Sequence, residues 1–290
     1  MNHDRKRRRF SWKRVLLIVL AIYLLAIAFL CYSPDKLILM PTTKPIRVVG
    51  ADRRLVDSSV GSVEVWTERS LAARDGEIEG YVLAFNGNGS RAERELDRIA
   101  PMWSKHPVEI WAMNYPGYGG SEGEALLKNI PPAALAVYDA LAKEAKGRPI
   151  FLSGHSLGTT VAIGLAARRP VAGLVLHNPP PLRHLIFERY GWFNLWLGAT
   201  WVAWAVPVEM RSLTNGPMCR VPAIFLLAGK DSVVPPRYQE MVYADYGGPK
   251  RAVRMPAYLH NDPVWVSPEL SEVERGVDWM WKIAYQNKTK

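Results

Sequence analysis

The chain has only two cysteines, Cys31 and Cys219, and that scarcity removes a disulfide-stapled small fold from consideration. Cys31 lies in an apolar run near the start and Cys219 in the later, globular part, so no intramolecular bridge is expected. Net positive charge is concentrated in one place. Of the formal net charge of +10, the first fourteen residues carry +6, because Arg5, Lys6, Arg7, Arg8, Arg9, Lys13 and Arg14 are offset only by Asp4. The remainder shows no basic stripe interleaved with aromatic residues, which argues against nucleic acid as a partner. Neither G-x-x-x-x-G-K-[ST] nor G-x-G-x-x-G occurs, so the glycines of the chain do not read as a phosphate cradle. No internal repeat and no low-complexity tract is present.

Long hydrophobic runs are also absent, with one exception. Residues 15–32 carry no charge, and eighteen such residues cross most of a bilayer as a helix. Ala26-Ile27-Ala28 offers the small residues of a signal-peptide cut. The run continues through Phe29 to Tyr32 without a polar break, which favours an uncleaved anchor. Seven cations precede it and only Lys36 and Lys44 follow closely, so the N-terminus is expected in the cytoplasm and the rest of the chain in a periplasm, a lumen or the exterior. The sequence therefore divides into a basic tail at 1–14, a transmembrane helix or uncleaved signal anchor at 15–32, and a linker at 33–54 marked by Pro34, Pro41 and Pro45. A globular domain is expected over 55–290. At 49% hydrophobic and 22% charged residues, the chain can bury a substantial core.

That domain alternates between two kinds of segment. Residues 60–67 alternate as an early strand, and residues 80–85, 108–113, 149–153, 173–177 and 223–228 form the short continuous apolar runs of buried parallel strands, with 253–255 as a last short one. Helical patterns at 91–102, 132–146 and 157–168 lie between them. Strand and helix in alternation imply right-handed crossovers and a mostly parallel, doubly wound sheet with helices on both faces. Residues 181–222 break the rhythm. Phe187, Tyr190, Trp192, Phe193, Trp196, Trp201 and Trp204 there suit either packing on the sheet or a cap whose aromatic face receives an acyl chain or meets a bilayer.

Chemistry enters at Gly154-His155-Ser156-Leu157-Gly158, a G-x-S-x-G between a strand and a helix. A serine on such a sharp turn needs glycines two before and two after it, so Ser156 is the candidate nucleophile. It requires a base, an orienting carboxylate and an oxyanion hole. Asp231 follows the strand 223–228 and is the leading acid, with Asp245 and Asp262 as alternatives. His260 comes 29 residues later and is the leading base; His177 and His184 are its competitors, while His3, His106 and His155 fit less well. Main-chain N–H groups of Leu157 and of Asn88, in the loop Asn86-Gly87-Asn88-Gly89, are the candidate oxyanion donors.

These residues, with the glycine-rich segment 114–123 and the His260-Asn261-Asp262 ending, resemble the α/β-hydrolase superfamily over about residues 60–285. More narrowly they are similar to membrane-anchored serine hydrolases that carry a single N-terminal helix, down to Tyr32-Ser33-Pro34 after that helix. The resemblance implies an eight-stranded sheet, a triad of Ser156, Asp231 and His260, and hydrolysis of an ester, thioester or amide without metal or cofactor. The implied partners are a small-molecule or lipid acyl substrate and the membrane. Peptide hydrolysis, acyl transfer and a non-catalytic binding role are the other functions such a fold hosts. The chain departs from the pattern at Asn86, where the group has His, at Asn114 and Pro116 beside Tyr115, and at Tyr258-Leu259 before His260.

Overall fold

The computed structural model describes residues 11–32, 34–192, 196–266 and 268–286. The first ten residues of the basic tail, Ser33 and Phe193 lie outside them. Helix α1 spans Trp12–Tyr32 and exposes Leu16, Leu17, Ile18, Leu24 and Leu25 along its length. Among the described residues no helix is long and apolar enough to cross a membrane.

The stretch expected to be a linker is built into the domain. Helix α2, Pro34–Ile38, follows α1, and Ile38 and Leu39 are buried in the core. Strand β1, Asp52–Ser58, begins before the expected domain boundary at 55 and pairs antiparallel with β2, Gly61–Arg69. β1 shows no hydrophobic run because it is an edge strand, where the exposed Asp52, Arg53 and Asp57 are tolerated.

The expected buried runs become β3 at Gly80–Phe85, β4 at Val108–Met113, β5 at Ile150–His155, β6 at Gly173–His177 and β7 at Ala223–Ala228, with β8 at Lys250–Met255. The sheet has eight strands in the order β1-β2-β4-β3-β5-β6-β7-β8 among the described residues. All pairs from β4 to β8 are parallel. Within β3 the side chains alternate between two cores: Leu83 and Phe85 join one cluster, and Val82 and Ala84 the other. Helices α4, Ile130–Ala145, and α5, Leu157–Ala166, cover the first face. Helices α3, Ala92–Ile99, and α10, Leu270–Gln286, cover the second through Leu96, Ile99, Val273, Val277 and Met280. A strand covered on both sides has no face to leave polar, which is why these segments read as unbroken apolar runs.

Among the described residues three α-helices separate β6 from β7: α6 at Leu182–Tyr190, α7 at Leu197–Trp204 and α8 at Ser212–Asn215. Their inward side is aliphatic, with Leu182, Ile186, Val202, Val206 and Met210 buried. The tryptophans do not pack on the sheet; Trp192, Trp196, Trp201 and Trp204 are 52–71% exposed. α7 lies alongside α1. Helix α9, Pro236–Asp245, then returns the chain to β8.

Candidate active site

The carboxyl ends of β3, β5, β6 and β7 bring the site together, as expected of an open parallel sheet. Ser156 stands at φ 51°, ψ −118°, a conformation that costs a side-chain-bearing residue about 1–3 kcal/mol. Close packing on both sides holds it there. A Cβ on Gly154 would lie 2.6 Å from the Gly158 carbonyl oxygen, and one on Gly158 would strike the carbonyl of Phe85. The Ser156 N–H donates to the His177 carbonyl at 2.8 Å, which ties the turn to β6.

His260 Nε2 lies 3.0 Å from Ser156 Oγ, and its Nδ1 lies 2.6 Å from Asp231 Oδ2. All three residues are buried. The carboxylate of Asp231 is held from the other side as well: Oδ1 accepts the N–H groups of Val233 and Val234, both at 2.8 Å. The remaining candidates take other places. Asp262 Oδ2 accepts the Leu259 N–H at 2.8 Å, closing the turn that carries His260, and Asp245 is exposed at the end of α9. His106 pairs with Asp278 at 2.7 Å, and His184 is exposed on α6.

Two further histidines, one of them the competitor His177, are buried beneath the site. His155 and His177 face each other with ring centroids 4.9 Å apart, and His155 Nε2 lies 3.2 Å from the His260 carbonyl oxygen. Burial holds both imidazoles well below the ordinary histidine range, and the nearby Arg98 cation adds to the effect. They stay neutral as a result. His155 thereby donates to the main chain of His260 rather than reaching Ser156 Oγ.

The main-chain N–H groups of Asn88 and Leu157 have no backbone acceptor among the described residues, and both residues line the cavity above Ser156. Leu157 is the first residue of α5, where N–H groups have no intrahelical partner. The departures at Asn86 and Asn114 prove to be structural. Asn86 Nδ2 donates to the carbonyls of Gly87 and Ser90, at 3.2 and 2.9 Å, and so fixes the loop that holds Asn88. Asn114 accepts the Ala92 N–H at the start of α3 and donates to Glu64 and Glu93, knotting three elements together.

Three features escape sequence reasoning. Gln239, on α9, donates to Asp231 Oδ2 at 3.2 Å and to the Val234 carbonyl at 2.7 Å, and accepts the Ala228 N–H. Asn178, at φ 52°, donates to the His260 carbonyl at 2.9 Å and accepts the Ala228 N–H at 3.0 Å. The sequence signal for Asn178 is an isolated amide just after a strand, and Gln239, inside a helix, has none. The third is the segment after α1. Asn88 donates through Nδ2 to the Ile38 carbonyl and accepts the Met40 N–H at 2.9 Å; Tyr118 and the Asp35 carboxylate add further ties, the latter to the Leu127 N–H at 2.6 Å. Ile38 and Met40 thus line a cavity of about 360 Å³. Leu182, Leu185 and Ile186 of α6 line it as well, together with the polar Asn88, Ser90 and Asn261, and no cap tryptophan is among its described lining residues.

Residues 76–213 match the family described as serine aminopeptidase, S33. An uncharacterised protein of Mycobacterium tuberculosis is 27% identical over 276 residues, spanning 86% of this chain and 89% of its own. Human monoglyceride lipase is 32% identical over 110 residues, which is 36% of each chain. Among solved structures, the Pyrococcus furiosus esterase Pf2001 matches with a TM-score of 0.66 at 14% identity, covering 84% of this chain and 97% of that one.

Proposed function

Given that the chain has the α/β-hydrolase fold, we propose that it is a membrane-anchored serine hydrolase of small-molecule or lipid acyl esters, acting through Ser156, His260 and Asp231. One observation carries the reading: a single imidazole bridges Ser156 Oγ at 3.0 Å and a buried carboxylate at 2.6 Å, with the serine on a strained strand-to-helix turn. His260 Nε2 takes the Oγ proton as Oγ attacks the carbonyl carbon. Asp231, accepting from Nδ1–H, fixes the tautomer that leaves Nε2 free to act. The N–H groups of Asn88 and Leu157 receive the developing oxyanion, a service worth about 10²–10³ in rate per donor. The proton then passes from His260 to the departing alkoxide, leaving an acyl-serine. Water, deprotonated by the same nitrogen, releases the acid and restores Ser156.

The anchor rests on the eighteen uncharged residues 15–32 behind seven cations. With the N-terminus in the cytoplasm, the domain faces a periplasm, a lumen or the exterior. Because α7 lies alongside α1, the exposed cap tryptophans belong to the side of the domain nearest the bilayer.

A fluorophosphonate probe tests the chemistry. The wild-type chain is expected to label and Ser156→Ala not to, with both showing the same circular dichroism; labelling that survives the substitution overturns the assignment. Esters, thioesters and amides of one acyl chain, run side by side with water or an alcohol as acceptor, identify the bond cleaved and the acceptor. Carbonate extraction of membranes from expressing cells tests the anchor, which predicts that the chain stays in the pellet.

A further inference from the structure

We propose that Tyr118 and the carboxamide of Asn88 are positioning residues of the oxyanion hole, and that they aim the Asn88 N–H by tying its loop to the segment that follows α1. The inference rests on the reading above, in which that N–H receives the oxyanion formed at Ser156. The donor belongs to the peptide group between Gly87 and Asn88, and such a plane is fixed only when both its ends are held. The carbonyl end is held within the loop. The Gly87 carbonyl accepts from Asn86 Nδ2 at 3.2 Å and from the Ser90 N–H at 3.1 Å, so the N–H of the same trans peptide points the opposite way. The other end is the Asn88 Cα, and the main chain beyond it gives little restraint. Gly89 follows at φ 73°, a left-handed conformation that glycine enters and leaves at no steric cost.

The side chain of Asn88 supplies that restraint. Its Nδ2 donates to the Ile38 carbonyl, and its Oδ1 accepts the Met40 N–H at 2.9 Å and the Tyr118 O–H at 3.0 Å. The Met40 N–H also lies 3.1 Å from Tyr118 Oη, which closes the group of three. A carboxamide set against a carbonyl and an N–H two residues on matches donor to acceptor at both ends, and an aspartate does not. Tyr118 is buried, its ring edge-on to Tyr115 with centroids 5.6 Å apart. Burial pushes its phenol up to about 12, so it keeps its proton at every pH where His260 acts as a base. The segment on the far side of these bonds is itself tied down. Ile38 and Leu39 are in the core, the Leu127 N–H donates to Asp35 at 2.6 Å, and the Gly119 N–H donates to the Thr42 carbonyl at 2.9 Å. Asn88 is thus braced against parts of the fold that are fixed independently of its own loop, and the preorganisation of the donor is what an oxyanion hole depends on.

The test reads the chemical step of two variants of the full chain. Tyr118→Phe removes one hydroxyl and keeps the buried ring; Asn88→Asp keeps the main-chain N–H and turns an oxygen toward the Ile38 carbonyl. With p-nitrophenyl butyrate, kcat is expected to fall about tenfold in Tyr118→Phe. It should fall further in Asn88→Asp, toward the loss of about 10²–10³ that removal of an oxyanion donor brings, while KM stays within about twofold in both. The saturating rate of fluorophosphonate labelling should fall in step, since the phosphoryl oxygen of the probe enters the same hole. Competitive inhibition by decanol, which has no carbonyl, should not change. Unchanged kcat and labelling in Tyr118→Phe overturn the proposal. So does a loss of decanol binding that matches the loss of kcat, because Tyr118 then shapes the pocket wall and not the donor. Should Asn88→Asp fail to fold, Tyr118→Phe decides the matter alone. Absence of labelling in the wild type removes the hydrolase reading itself and this proposal with it, whereas a labelled wild type with an indifferent Tyr118→Phe removes only the positioning role.

Discussion

His155 and His177 sit beneath the candidate site, and their protonation links it to the stability of the fold. The two ring nitrogens of His177 have no hydrogen-bond partner among the described residues, and burial holds the ring neutral well below the ordinary histidine range. The unfolded chain, by contrast, takes up that proton near pH 6.5. Below that pH the unfolded state binds more protons, so the stability present above it is lost as pH falls, by up to about 1.4 kcal/mol per pH unit per histidine. Glu95 acts in the other direction. Burial pushes its carboxyl up to about 7, so between pH 4.5 and 7 the folded state holds a proton the unfolded state has released, and stability rises as pH falls. The opposed signs mask each other in the wild type. They separate in His177→Leu, which replaces an unpartnered polar ring with an apolar side chain. Urea denaturation should show this variant gaining on the wild type by about 1 kcal/mol or more between pH 7.5 and 5.5; a constant difference across that range would show that His177 does titrate in the folded state.

At the scale of elements, the segment that follows α1 is part of the candidate site. Ile38 is buried and lines the cavity, and its carbonyl is held by Asn88, the residue whose N–H faces the same cavity. Truncating it removes methylenes that a long acyl chain would contact, each worth about 0.8 kcal/mol. Ile38→Ala should therefore lower kcat/KM for a decanoate p-nitrophenyl ester about tenfold while changing that for acetate by less than half as much on a logarithmic scale. Equal losses for both chain lengths would place Ile38 outside the acyl pocket. This element was illegible in the sequence for a physical reason. Pro34, Pro41 and Pro45 signal extended chain, and the partners that fix it, Asn88, Tyr118 and Leu127, lie at least 48 residues away. Strand β1 leaves no sequence signal because a half-exposed edge strand has no apolar run. The central strands and the order Ser156, Asp231, His260 were legible because each rests on local pattern: buried runs in the one case, strand-end loops in the other. Gln239 and Asn178 were not, since an isolated amide carries no period.

For the whole molecule, the placement of α1 beside α7 turns several separate features toward one side. Trp192, Trp196, Trp201 and Trp204 are exposed there, and tryptophan is favoured at the level of lipid headgroups, where its ring is apolar and its N–H is wet. The segment after α1 leads directly into the pocket wall at Ile38 and Met40. With the chain anchored as proposed, an acyl ester leaving the bilayer would meet first the cap, then α6, then Ser156, and the tryptophans would act on the delivery of lipid-borne substrate rather than on the chemical step. Trp196→Ser combined with Trp204→Ser should lower hydrolysis of a decanoyl ester presented in phospholipid vesicles several-fold relative to hydrolysis of p-nitrophenyl acetate in solution, because only the first reaction draws on the contact with the membrane. The effect should persist in high salt, since burial of indole rings is not screened as ion pairs are. If both reactions fall together, the tryptophans support the fold of the cap; if neither falls, that surface does not face the bilayer.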